Sequence, residues 1–232
     1  MVASTEPPMT LVVLAGGRGT RMGAYARTTA KALLPVDGEP FLVRALRRYR
    51  AGGVTDVVLC TGHHAAQVQE VIGDGSALGL RVTHSAEPEP LGPIGALRHA
   101  LPLLPETYLL TYCDVVPTID VRSFTAAARA SDCPAVMAVG TAPTPPEANV
   151  LLSGQQVSSY AKSPPPPGAT HCDRGLLALE RRLLDRHPGR TEADFYGALA
   201  RRGELGAVRI GAPGADIGTA HRYERYLRTG EK

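Results

Sequence analysis

Between Leu11 and Val36 the chain reads LVVLAGGRGTRMGAYARTTAKALLPV, which sets Gly16, Gly17 and Gly19 among Arg18, Thr20, Arg21 and, further on, Lys31. Glycines carry no side chain to block a ligand, so backbone N–H groups can close on an anion while the nearby cations neutralise it. That chemistry is the gripping of a triphosphate. Two better-known glycine motifs are excluded by spacing. The dinucleotide fingerprint needs a third glycine at position 22, which is Met22, with Gly23 one residue late, and the Gly-Lys-Ser/Thr of a P-loop is absent. A second chemical group stands at Asp114, just after the apolar run from Thr107 to Thr111. A carboxylate at the carboxyl end of a buried strand is placed to hold a hard cation such as Mg²⁺. His63 and His64, adjacent at a helix start, read as surface or capping residues rather than metal ligands.

The elements around these groups follow from apolar periodicity. Leu11 to Ala15 lacks polar alternation and predicts a strand covered on both faces. Pro40 predicts the first residue of a helix with Phe41, Leu42, Ala45, Leu46 and Tyr49 on one stripe, closed by Gly52-Gly53. Val54 to Cys60 then predicts a strand, His64 to Ile72 a helix, Leu80 to Thr83 a strand, and Ala96 to Leu104 a helix after the rigid loop Ser85 to Gly95. Beyond Pro134 come a strand at Ala135 to Val139 and a hairpin, Val150 to Leu152 and Val157 to Tyr160, around Ser153-Gly154. Two helices, Glu180 to Arg186 and Glu192 to Arg202, a strand at Ala207 to Ile210 and a last helix at Ala220 to Arg228 complete the order. The expected architecture is α/β, a single domain with a doubly wound, mostly parallel sheet and a small antiparallel region in its second half. Residues 1–9 are expected to form a flexible tail, and 10–232 the domain.

Composition narrows the class. With 232 residues, 44% of them hydrophobic and 20% charged, one sizeable α/β domain is expected. A formal net charge of +3, no Trp and three Phe argue against nucleic acid or a membrane surface as partner. Cys60, Cys113, Cys133 and Cys172 show no C-x-x-C spacing, which predicts reduced thiols in a cytoplasmic protein. The opening residues lack the basic and apolar regions of a signal peptide, and no apolar run approaches membrane-spanning length.

The run G-G-x-G-T-R-M, followed by Lys31 in A-K-A-L-L-P-V, resembles the signature of sugar-1-phosphate nucleotidyltransferases, a Rossmann-like nucleotidyltransferase fold. The resemblance implies that Leu14, Ala15, Gly16, Gly17, Arg18, Gly19 and Thr20 contact the nucleotide, and that Arg21 and Lys31 act on its phosphates and the reacting group. Ala30 stands where a proline usually precedes the lysine, which predicts a less rigid loop. The loop S-A-E-P-E-P-L-G implies a base-reading Glu87 with Gly92. Asp114 would bind metal and nucleotide, with Cys113 replacing a usual glycine; Asp216, in D-I-G-T, would be the second Mg²⁺ ligand. Tyr160-Ala161-Lys162-Ser163-Pro164 resembles E-K-P, so Lys162 would bind the sugar 1-phosphate, while Ala161 replaces a glutamate. Asp173 and Gly175 match a sugar-contacting segment. Pro93-Ile94 departs from the usual Thr-Gly. These matches divide the domain into a nucleotide-binding half, 10–133, and a sugar-phosphate half, 134–232.

The implied reaction joins an NTP and a sugar 1-phosphate, small-molecule substrates handled alone or as a homodimer, and releases pyrophosphate. Gly38 to Leu42 and the Glu87 loop are closest in pattern to heptose-1-phosphate guanylyltransferases, and an ionised glutamate, which only accepts, suits guanine's adjacent N1–H and N2–H₂. GTP is therefore the expected donor. Two rivals stand beside this reading: a cytidylyltransferase acting on an alcohol phosphate such as phosphocholine, and a nucleotide-binding paralogue whose chemistry has decayed.

Overall fold

In a computed structural model of the protein, the described residues are 9–116, 118–187, 189–211 and 215–229. Residues 1–8 of the expected tail lie outside them, whereas Met9 already belongs to the first strand. The chain begins with β1 (Met9–Ala15), and a 3₁₀ turn at Thr20–Ala26 carries it to a short hairpin, β2 (Pro35–Val36) with β3 (Glu39–Pro40). Then follow α1 (Phe41–Ala51), β4 (Val54–Thr61), α2 (Ala65–Ile72), β5 (Arg81–Ala86), α3 (Pro93–His99), β6 (Thr107–Tyr112), β7 (Val115–Val116) and α4 (Val121–Arg129). The second half runs β8 (Ala135–Thr141), β9 (Val150–Ser153), β10 (Gln156–Tyr160), β11 (His171–Glu180), α5 (Leu183–Arg186), α6 (Glu192–Arg201), β12 (Leu205–Arg209), β13 (Ala215–Asp216) and α7 (Ala220–Thr229).

Nine strands form one sheet in the order β5-β4-β1-β6-β11-β8-β12-β10-β9. The first four are parallel; β11 then runs antiparallel between β6 and β8, and β8 pairs parallel with β12. The doubly wound parallel sheet is present as expected, but its antiparallel part continues the same sheet. Alternate residues of β1 explain its apolar run. Leu11, Val13 and Ala15 pack with Leu42, Leu46, Tyr49, Val68 and Phe124 of α1, α2 and α4, while Val12 faces Leu97, Leu184, Phe195 and Leu199 of α3, α5 and α6. A strand sandwiched between two helical layers has no solvent face to make polar.

Several local expectations are corrected. Pro40 does not start α1: it pairs with Pro35 in the hairpin and caps the helix with extended geometry, ψ 134°, so the helix begins at Phe41. The helix expected over Ala96 to Leu104 starts at Pro93 and stops at His99, after which Leu101–Leu103 forms a 3₁₀ turn around Pro102, a residue that has no N–H to continue a helix. The helix expected over Glu180 to Arg186 is shortened to Leu183–Arg186, because Glu180 is the last residue of β11. Leu177, Ala178 and Leu179 pair with both β6 and β8, and Glu180 continues the ladder opposite Thr107 of β6, which holds that residue in the strand. Helix α4 is an addition to the expected elements. Its signal was present: Asp120 accepts the N–H groups of Arg122 and Ser123, and Val121, Phe124, Thr125 and Ala128 make the buried stripe.

A third, smaller core ties the glycine turn to the C-terminal helix. Met22 is fully buried and packs with Leu34, Phe41, Val116, Ile217, Tyr223 and Tyr226. Gly19, at φ 62°, supplies the left-handed residue that starts the 3₁₀ turn, where a Cβ would lie 2.9 Å from that of Ala26.

Candidate active site

The carboxyl ends of β5, β4, β1 and β6 form one edge, and the loops leaving them are bonded to one another. Glu87 N–H donates to the Thr61 carbonyl (2.8 Å), His63 N–H to the Gly16 carbonyl (3.3 Å) and Cys113 N–H to the Leu14 carbonyl (3.1 Å). The expected nucleotide contacts therefore share one rim. Gly17, Arg18 and Thr20 are exposed on it, Leu14, Gly16 and Gly19 are half-buried, and Ala15 is buried. The Glu87 carboxylate lies across the glycines: an added Cβ would come within 2.7 Å of its Oε1 at Gly16 and 2.5 Å at Gly62. Its Oε2 accepts the Leu91 N–H at 3.2 Å. Gly92, φ 75°, precedes α3, whose Ile94 N–H reaches the Arg190 carbonyl. Pro93 is accommodated as the first helical residue.

Lys31 is held rather than loose. Gln67 of α2 accepts the Ala30 N–H (2.9 Å) and donates to the Thr28 carbonyl (2.8 Å), which pins the segment before the lysine. A proline at position 30 would lack that N–H, so the clamp replaces the stiffness expected to be missing. Lys31 Nζ then meets Asp114 Oδ2 at 2.5 Å, both side chains 14% exposed. Burial works to lower the Lys31 pKa, but the charge of Asp114 and its hydrogen bond outweigh it and hold it above the ordinary lysine value. Burial pushes the Cys113 thiol itself up to about 12, so it stays neutral.

Asp114 and Asp216 meet because β7 and β13 pair antiparallel, Val115 opposite Asp216, and Ile217 N–H donates to the Asp114 carbonyl at 2.9 Å. A Cβ built on Gly218 would stand 2.8 Å from Asp216 Oδ1 and 3.0 Å from Asp114 Oδ2, so the two carboxylates converge on one point. Burial, then repulsion from Asp114, raises the Asp216 pKa. Two residues the sequence reading missed close the group: Arg222 Nη1 donates to Asp216 Oδ2 (2.5 Å) and Nη2 to Glu147 Oε2 (3.0 Å). Its place in the first turn after D-I-G-T was the available signal. Among the described residues no three His, Cys, Asp or Glu side chains gather as a metal site. A pair of carboxylates still fits Mg²⁺, which is commonly bound by one or two carboxylates together with substrate phosphates.

The second half brings its residues to the same place. The charges of Asp173, Arg21, Asp114 and Asp216 all act on Lys162, whose pKa burial lowers. Asp173 is raised, mainly by burial; its Oδ1 accepts the Gly175 N–H at 2.7 Å, and its own N–H donates to Asn149 Oδ1 at 2.9 Å. Gly175 is the bulge in β11, φ 73°, packed so closely under Val115 that a Cβ would lie 3.0 Å from Val115 Cγ2. Tyr160, whose hydroxyl interacts with the Asp173 carboxylate, is buried, and Tyr112 and Tyr196 share a 3.0 Å hydroxyl pair. Arg21, exposed, acts on both Lys31 and Lys162. His63 is exposed and His64 occupies the cap position of α2 at φ 62°, with their rings 3.9 Å apart.

Comparison with known proteins shows the family. Residues 11–187 match the MobA-like NTP transferase domain. The mannose-1-phosphate guanylyltransferase of Mycobacterium tuberculosis is 31% identical over 207 residues, 83% of this chain and 56% of that protein. The N-acetylmuramate alpha-1-phosphate uridylyltransferase of Neisseria meningitidis serogroup B is 39% identical over 123 residues, 51% of each chain. The chain thus spans about half the length of these curated relatives. The crystal structure of HddC from Yersinia pseudotuberculosis superposes with a TM-score of 0.81 at 20% identity, covering 96% of this chain and all of that one, a likeness of fold. Among the described residues no helix is long and apolar enough to cross a membrane.

Proposed function

The chain belongs to the MobA-like NTP transferase family, and on that premise we propose that it transfers a nucleotidyl group from an NTP, GTP by preference, to a sugar 1-phosphate. The observation that carries the proposal is the convergence of Lys31, Asp114 and Asp216 with Arg21, Lys162 and Asp173 beside the glycine turn. An oxygen of the sugar phosphate attacks the α-phosphorus; the new bond forms as the bond to the departing pyrophosphate breaks. No protein nucleophile is needed, because the acceptor is already anionic. The difficulty is bringing two anions together.

Each group has a part in that task. The backbone of Gly16 to Gly19 and the Arg18 and Arg21 guanidiniums hold the triphosphate, and Lys31, freed from Asp114, meets charge at the reacting phosphate. Lys162 takes the acceptor's phosphate while Asp173, kept in place by the Gly175 N–H, accepts from the sugar. Asp114 and Asp216 would hold Mg²⁺, which when bound neutralises charge on the triphosphate. Glu87 accepts hydrogen bonds only, and guanine offers two adjacent donors where uracil and thymine offer one between carbonyls. The guanylyltransferase named above supports that preference; the uridylyltransferase weighs against it.

Pyrophosphate release with Mg²⁺, measured over GTP, UTP, dTTP, CTP and ATP against hexose and heptose 1-phosphates and phosphocholine, tests the reading. Release with GTP and a sugar 1-phosphate is expected. Turnover with UTP equal to that with GTP would overturn the base assignment, use of phosphocholine alone would favour the cytidylyl rival, and no release with any pair would leave a binding protein.

A further inference from the structure

One carboxylate in the acceptor half has no part in the scheme so far. Glu192 opens α6, its side chain is 14% exposed, and its Oε2 pairs with Lys162 Nζ. Among the described residues Lys162 is its one hydrogen-bond partner. The same ammonium also feels Asp173, so besides Asp114 and Asp216 a single lysine answers both Glu192 and Asp173. A sugar phosphate brings up to two more negative charges to it, and both carboxylates cannot stay. Asp173 is anchored by the Gly175 N–H at 2.7 Å, whereas nothing comparable anchors Glu192. Glu192 is therefore the one displaced, and a carboxylate so little exposed needs new donors. Residue 161, beside the lysine, is alanine and offers no acceptor side chain of its own.

Resting on the transfer reaction proposed above, we infer that Glu192 is the specificity-determining residue for the acceptor: parked on Lys162 in the free chain, it moves onto hydroxyls of the sugar ring when the phosphate arrives. Its two oxygens suit a vicinal diol. A purely electrostatic role predicts the opposite sign, since removing a competing carboxylate from Lys162 would tighten binding of any phosphate.

The experiment is Glu192→Gln, with Glu192→Asp beside it, in kinetics with mannose 1-phosphate and glucose 1-phosphate and in calorimetric titrations with those esters and with inorganic phosphate. Thr191 still caps α6 through the Asp194 N–H in either variant. Glu192→Gln is expected to raise KM for the preferred sugar 1-phosphate by about 10-fold or more, with KM for the NTP unchanged, inorganic phosphate bound no more weakly, and partial recovery in Glu192→Asp. A lower KM for the sugar phosphate, or equal changes for sugar phosphate and inorganic phosphate, overturns the inference. If the unmodified chain transfers nothing, the proposed reaction fails, and the titrations alone decide on Glu192: sugar-phosphate affinity unchanged by Glu192→Gln then overturns it.

Discussion

Replacing Gly218 with alanine tests whether the two aspartates act as one site. Gly218 does not sit in the left-handed region, so an alanine backbone is unstrained there. The methyl group is the perturbation: it would stand 2.8 Å from Asp216 Oδ1 and 3.0 Å from Asp114 Oδ2. Non-bonded carbon and oxygen rest roughly 3.4 Å or more apart, so each carboxylate must recede by about half an ångström. Asp216 cannot recede freely, because its Oδ1 accepts the Gly218 N–H at 2.6 Å. Ligand distances to a bound cation tolerate only about 0.2 Å, and misplacement on the order of 1 Å costs roughly 10²-fold in rate. The expected outcome is a fall in kcat of about 10²-fold, or ~2.7 kcal/mol in the barrier, with a higher Mg²⁺ requirement. Pyrophosphate release at saturating substrates, titrated with Mg²⁺, reads this, while circular dichroism and the thermal midpoint confirm the fold. A folded variant with unchanged kcat and Mg²⁺ dependence would refute the shared site.

Gly62→Ala places a Cβ 2.5 Å from Glu87 Oε1 and should erode the GTP-to-UTP turnover ratio by about 10-fold, read by direct competition; an unchanged ratio would remove Glu87 from base selection. Lys31→Ala should lower kcat at saturating substrates by roughly 10²- to 10³-fold, and a change confined to KM would reduce the lysine to uniform binding. Met22→Ala should cost about 2–5 kcal/mol in denaturant unfolding, since the side chain is fully buried between the glycine turn and α7; a loss under ~1 kcal/mol would mean that the third core does not hold the turn. Burial holds the native Asp173 pKa above its ordinary 3.8, so between those values the native state binds more protons than the unfolded chain, and stability falls as pH rises through the window. Asp173→Asn should therefore be more stable than the parent at neutral pH, with the gain shrinking as pH falls through the native value. A difference independent of pH in urea titrations would contradict that account.

What the sequence determined by itself was mostly local. The glycine turn, the cations within it, the buried parallel strands and the chemical types at Lys31, Glu87, Asp114, Lys162, Asp173 and Asp216 are legible because turn chemistry and apolar periodicity act over a few neighbouring residues. The stripe of α4 and its Asp120 cap are equally local signals. Other features were decided only when distant segments met. Nothing in the periodicity of H-C-D-R-G-L-L-A-L-E says that it forms β11, because Gly175 and its bulge interrupt the alternation and the strand owes its state to partners on both sides. Ala30 reads as a loss of stiffness in the sequence, yet Gln67 of α2 holds its N–H in the fold. Asp114 and Asp216 come together through the pairing of β7 with β13, Arg222 bridges Asp216 to Glu147, and Glu192 reaches Lys162, in the loop after β10, from the start of α6. Such contacts depend on sheet order and register, and those are settled by burying both faces of the whole sheet at once rather than by any one segment.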